Sequence, residues 1–146
     1  MKKILYTLLV AALLPTPILA QQDAEALVAS MRVAEMTYKE LMQIMGRSIS
    51  LMQDGVITQN RELVSQGANI IFTHPAPNRK PWAIFEAKDQ EGFKQALLTY
   101  DKVLDANTTE VLKASNGRDW LAAAEALSRL QSSCVSCHLQ WKDKVL

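Results

Sequence analysis

Cys134-Val135-Ser136-Cys137-His138 is the stretch on which the reading of this chain turns. Two thiols three positions apart, with an imidazole directly after the second, form the attachment pattern of c-type haem. Each thiol can add across a vinyl group of the porphyrin and leave a thioether. On a helix, positions 134 and 138 lie one turn apart on the same face, and 137 lies beside them. Both tethers then hold one edge of the macrocycle while the ring of His138 reaches the iron. An iron held by histidine transfers electrons or binds a gas, according to what occupies its opposite face.

Three plainer readings compete. A thioredoxin-type redox pair wants strand–helix–strand surroundings, and no stretch here reads as strand. A structural zinc site wants four ligands. The chain has two cysteines and two histidines, and His74 lies far off in a Pro-rich loop, so zinc would use every candidate at unusual spacing. A disulfide between Cys134 and Cys137 would strain a helix to close a very short loop.

The N-terminus points to an exported chain. Lys2 and Lys3 precede an apolar run from Ile4 to Leu14, and Pro15-Thr16-Pro17 leads to a cleavage site after Ala20. That is the pattern of a secretory signal peptide over residues 1–20. The run is short for a spanning helix, which needs about 20 apolar residues, so no membrane insertion is expected after cleavage. The expected location is the periplasm. Thiols in an exported chain are oxidised or used, and both cysteines fall inside the haem motif. Signal and motif support each other.

Residues 21–146 are enough for one domain with one core. Without Lys2 and Lys3 there are 14 basic against 15 acidic side chains. With no basic block and no aromatic–basic interleaving, nucleic acid is not an expected partner. Gly is scarce, and Ala, Leu, Met, Glu, Lys and Gln are common, which favours helix.

The apolar spacing predicts four helices. The first runs from Gln21 to about Gln53, with Leu27, Met31, Ala34, Tyr38, Leu41, Met45, Ile49 and Met52 stepping by three or four, and stops at Asp54-Gly55. The second runs from about Thr58 to Phe72 with a small-residue face at Gly67 and Ala68. Pro75, Pro77 and Pro81 then enforce a loop, and Trp82 to Phe85 form a short turn beneath it. The third helix runs from near Asp89 to about Ala114. Asn107-Thr108-Thr109-Glu110 resembles a capping box there and allows a break. Asn116-Gly117 marks a turn. The fourth, about Asp119 to Lys142, carries Trp120, Ala124, Leu127, Leu130, Cys134, His138 and Trp141 on one face. The expected architecture is all-α: an antiparallel up-down-up-down four-helix bundle with haem in the interior near the C-terminal helix.

With these segments in hand, the chain resembles the class II c-type cytochromes, the cytochrome c prime family, over essentially all of residues 21–146. The specific part is Cys134-Val135-Ser136-Cys137-His138-Leu139-Gln140-Trp141-Lys142, the haem motif followed by two residues, an aromatic and a basic residue. Leu41-Met42-Gln43-Ile44-Met45-Gly46-Arg47 and Phe72, Pro77, Trp82 and Phe85 add to it. The resemblance implies an exported bundle with one haem c attached through Cys134 and Cys137, held by His138 and touched by Trp141 and Lys142. It also implies a homodimer through the first two helices, with which Gly67 and Ala68 are compatible. Two positions depart from the pattern. Lys142 stands where the family often has Arg, which loses a bidentate hold on a propionate. Tyr38 stands where an Arg often lies one turn before the distal position, which removes a distal charge.

The position that resembles the distal site is Met42. A thioether there favours ferrous iron and suits electron transfer. Methionine is also flexible core filler, and Met31, Met36, Met45 and Met52 accompany it. Met45 and His74 are the other candidate ligands, His74 being expected on a solvated loop. The first hypothesis is an electron carrier, not an enzyme, with His138 and Met42 on the iron and an unknown redox partner. The second is a five-coordinate protein that binds nitric oxide or carbon monoxide. The third is a helical binding module without haem.

Overall fold

The computed structural model describes residues 23–146, so the export signal expected over 1–20 lies outside the described residues. The described chain is mostly helical, with five helices packed in pairs. They are α1 (Ala24–Ser30), α2 (Tyr38–Ile57), α3 (Arg61–Thr73), α4 (Ala87–Asn116) and α5 (Trp120–Trp141). α2 packs on α3 and α4 on α5, with further contacts of α3 to α4 and of α2 to α5, while α1 lies on α4. Among the described residues no helix is long and apolar enough to cross a membrane.

The continuous first helix expected from the seam is broken. Thr37 caps α2: its hydroxyl accepts from Glu40 N at 3.2 Å, and the Glu40 carboxylate accepts from Thr37 N at 2.7 Å. This reciprocal pair satisfies two amides that an uncapped helix end leaves orphaned. A seam stepping by three or four looks alike on one helix or on two, so periodicity alone did not reveal the cut. Before it, β1 (Val33–Ala34) pairs in parallel with β2 (Ala76–Pro77) of the Pro-rich loop, Val33 facing Ala76. Pro77 can sit in such a pair because a two-residue edge strand has amides to spare. α1 is held to α4 by the Glu25–Lys94 pair at 2.6 Å, and the Lys94 ammonium also lies 5.1 Å from the centre of the Trp82 ring.

Gly55 does not stop α2; it lets α3 approach. A Cβ at 55 would lie 2.7 Å from Val64 Cγ2, and one at 67 would lie 2.6 Å from Met52 Cγ and 2.7 Å from the Ser48 carbonyl oxygen. The Ser48 hydroxyl donates to Gly67 O at 2.7 Å across this contact. The face of Gly67 and Ala68 is therefore covered by α2 of the same chain and is not a free dimer surface. α4 runs without a break through Asn107, whose side chain donates to Ser133 Oγ on α5 at 3.0 Å. The Asn-Thr-Thr-Glu run is thus interior helix, not a cap. α5 begins on Asp119, which accepts from Ala122 N at 3.0 Å. Its buried stripe runs through Ala123, Ala126, Leu127 and Leu130, and Ala124 faces solvent.

Apolar burial falls into two bodies. One joins α2, α3, α4 and α5 through Met52, Val56, Val64, Ala68, Ile71, Val111, Ala123, Ala126, Leu127 and Leu130. The other gathers Ala24, Trp82, Phe85, Phe93 and Trp141 under the Pro-rich loop, where Pro81–Ile84 form the expected short turn. Trp141 meets Phe85 and Phe93 edge-on, with centroids 5.7 and 5.3 Å away. A cavity lies between the two bodies. Met45, Ile49 and Leu104 on its wall pack against the first, and Val28, Tyr38, Leu97 and Cys137 against the second.

Candidate cofactor site

The cavity has a volume of about 410 Å³ and a mostly apolar wall, within the range of sites that enclose small molecules and cofactors. α5 delivers Cys134, Cys137 and His138 to it because those positions recur within one helical turn. α2 delivers Tyr38, Leu41, Met42 and Met45, and α1 adds Leu27 and Val28, followed by its C-cap Met31. α4 contributes Phe93, Leu97, Tyr100 and Asp101. The Pro-rich loop closes the rim with His74, Ala76, Pro77 and Pro81. Among the described residues, neither Lys nor Arg stands in this wall.

Cys134 and Cys137 are free, half-buried thiols. Burial pushes both up from the ordinary cysteine value, and for Cys137 the neighbouring Cys134 sulfur adds to the shift. A thioredoxin-type pair works through a lowered thiol, and neither thiol here is lowered. The only strands among the described residues are the two-residue pair far from this motif in sequence, so the strand–helix frame is missing as well. Zinc fares no better: among the described residues no three His, Cys, Asp or Glu side chains converge to hold a metal ion.

The sequence-expected site residues separate into two groups. Cys134, Cys137, His138 and Met42 meet at the cavity, with Met45 as its neighbour. Trp141 and Lys142 do not line it. Residue 141 lies one turn beyond Cys137, on the side of α5 that packs on Phe85 and Phe93. There a Cβ on Gly92 would come within 3.1 Å of the indole edge, and Nε1 is buried without a partner. Lys142 is exposed and pairs with Asp143 at 3.3 Å. Trp120 packs against the first apolar body, away from the cavity. Tyr38 meets Phe93 edge-on at 5.9 Å, and burial, then the charge of Cys137, pushes its hydroxyl far up, so it stays protonated.

His74 departs from expectation. It is half-buried in the cavity wall rather than solvated, and its Nδ1 lies 3.2 Å from the Pro75 carbonyl oxygen. Asp101 was not singled out in the sequence, where one carboxylate on a long helix gives no signal. Leu27 and Met31 were read as seam and serve as cavity wall instead, with Val28 beside them.

The donor set fits a covalently held haem: two thiols and the imidazole directly after them, together with thioethers from α2, all border one apolar chamber. No protein-family model, curated protein or solved structure matches the chain, so the functional reading rests on these residues.

Proposed function

We propose that the chain is an exported mono-haem c-type cytochrome of the class II kind, working as a periplasmic electron carrier. The observation that carries this reading is that Cys134, Cys137, His138 and Met42 all border one apolar cavity. Around it, the ring of contacts from α2 to α3, α3 to α4, α4 to α5 and α5 to α2 supports the antiparallel up-down-up-down four-helix bundle. Three-residue turns join α2 to α3 and α4 to α5, which suits antiparallel neighbours. α1 is an extra cover over the cavity.

In this reading Cys134 and Cys137 carry the two thioether tethers, His138 holds the iron from the α5 side, and Met42 holds it from α2. When bound, haem supplies a one-electron iron couple. The chain's own work is to set that couple and keep the site dry. A thioether at Met42 raises the potential, as does an apolar wall that disfavours the extra charge of the ferric form. Among the described residues no Lys or Arg lines the wall, so none of them adds a fixed cation to this tuning. Electrons come from, and go to, a partner redox protein.

The test is an absorption spectrum of the protein matured in a host with haem-attachment machinery. A sulfur–iron charge-transfer band near the red end of the oxidised spectrum is the expected result. High-spin ferric features with ready carbon monoxide binding to the reduced form would remove Met42 from the iron and favour gas binding.

A further inference from the structure

We propose that the C-terminal segment 142–146 is a clasp that fixes the last turn of α5, and with it His138, on the second apolar body. Lys144 and Asp89 are its positioning residues. The inference rests on reading the cavity as a haem site, since that reading gives His138 an iron to hold.

The need for a clasp follows from where the motif lies. α5 ends at Trp141, so Cys137 and His138 fall at its last turn. The final carbonyls of a helix have no intrahelical donor, and terminal turns open far more readily than the interior. The His138 ring is exposed and makes no hydrogen bond or ion pair among the described residues. Its place is therefore set by the backbone that carries it. An imidazole that must stay on one metal atom needs that backbone held.

The tail supplies the hold. Lys142 N donates to His138 O and closes the turn. Trp141 is buried against Phe85 and Phe93, and Cys137, one turn earlier, packs on the same body. After a short turn over Lys142–Lys144, Val145 forms an antiparallel bridge with Phe85. Leu146 N then donates to the Ile84 carbonyl oxygen at 3.0 Å. Lys144 Nζ lies 2.9 Å from Asp89 Oδ1 and 4.7 Å from the centre of the Trp141 ring. Asp89 stands in the first turn of α4, where a carboxylate is favoured by the helix dipole. One ammonium thus ties the start of α4 to the residue that ends α5. Lys142 does none of this: it is exposed and pairs with its neighbour Asp143, a contact inside the tail that fastens nothing. The cation that matters here is two residues beyond the one the resemblance pointed to.

The clasp acts on His138 and not on the fold at large. The first apolar body, with Val111 and Leu130, shares no residue with the second. Losing the Lys144 contacts opens the last turn while the rest of the bundle stays closed. A partly exposed ion pair and a cation over an aromatic ring together shift such an opening by roughly three- to tenfold.

The experiment uses the haem-loaded full chain. Amide exchange is followed at Leu139, Gln140 and Trp141, with Val111 and Leu130 as the reference. Urea unfolding is followed by the Soret band, which reports the iron's ligands, and by far-ultraviolet circular dichroism, which reports helix. Lys144→Gln should speed the three terminal amides by roughly three- to tenfold and leave the reference unchanged. Asp89→Asn should speed them too, and the double variant should go no further than Lys144→Gln alone. Lys144→Arg should restore the slow rate. In Lys144→Gln the Soret transition should come at lower urea than the loss of helix, as His138 leaves the iron of a bundle still folded. A contact that served stability alone would move the two transitions together. Terminal amides that keep their rate in Lys144→Gln, or speed up in step with Val111 and Leu130, would overturn the proposal. So would coincident Soret and helix transitions in that variant. A full chain without bound haem would overturn the parent reading instead, and the amide comparison would still decide whether the tail holds the turn.

Discussion

Met42 is one of three methionines on the cavity wall, with Met31 and Met45, and only its chemistry toward iron separates it from packing. Met42→Ala should leave the fold intact, convert the spectrum to high spin, lower the potential and open the iron to carbon monoxide. Met45→Ala should change stability by about 2–3 kcal/mol or less, as for a partly buried methionine, and leave the spectrum alone. Equal spectra for the two variants would remove Met42 as a ligand. The thiols give a pH prediction for the chain before haem is attached. Burial raises Cys134 and Cys137 above their unfolded values. The unfolded chain therefore releases protons first as pH rises, and stability falls with it. The stabilisation is complete below the ordinary thiol value and lost as pH passes the raised one. Urea midpoints should drop above about pH 8.5 in the haem-free chain, and the thiol part of that drop should vanish once thioethers have formed. At this scale the sequence was most legible where chemistry is written in adjacent positions, as in Cys134 to His138. It was least legible where a residue's place depends on what folds over it: Asp101 gave no signal, His74 was expected on a solvated loop, and Trp141 turns toward Phe93 rather than the cavity.

Among the elements, spacing announced the helices better than their ends. The seam through Leu27, Tyr38 and Leu41 did not reveal that Thr37 and Glu40 cut it, because a local hydrogen-bond exchange competes with propensity at no cost to the apolar period. Thr37→Ala should cost about 1 kcal/mol and loosen α1 and the short β pair, read as faster amide exchange at Val33 to Met36. Glycine misled in the opposite direction. Gly55 looks like punctuation in the sequence, yet it lies inside α2, and Gly67, read as a small-residue face, sits where α2 and α3 nearly touch. Gly67→Ala should destabilise by about 1–3 kcal/mol, seen as a lower urea midpoint. The left-handed residues of the two short interhelical turns are Gln59 and Arg118, with φ of 56° and 60°, while Gly117 has φ of −73°. Gln59→Gly should therefore stabilise by about 0.5–1 kcal/mol, the relief of strain outweighing the added freedom of the unfolded chain.

Across the whole molecule, the division into two apolar bodies separated by a cavity says how the protein would respond to the proposed haem. The body built on Val64, Ala68, Val111 and Leu130 is closed and needs nothing from the haem. The wall made by α1, the Pro-rich loop and the end of α5 faces the chamber. In the haem-free chain, amides around Ala68, Val111 and Leu127 should remain protected, and those of α1, Ala76–Pro81 and Cys134–His138 should exchange several-fold faster than in the loaded protein. Uniform protection in both forms would show that the chamber is not completed by a large apolar group. The mostly helical architecture was legible from composition and period, though the short β pair was not. The chamber was not, because it depends on how far apart two packed bodies sit. The measurement that tests the account most directly is the mass of the chain after export from a host able to attach haem. The account requires one haem, resistant to acid–acetone extraction and lost from a Cys134→Ala, Cys137→Ala double variant. A chain of unmodified polypeptide mass under those conditions would contradict it.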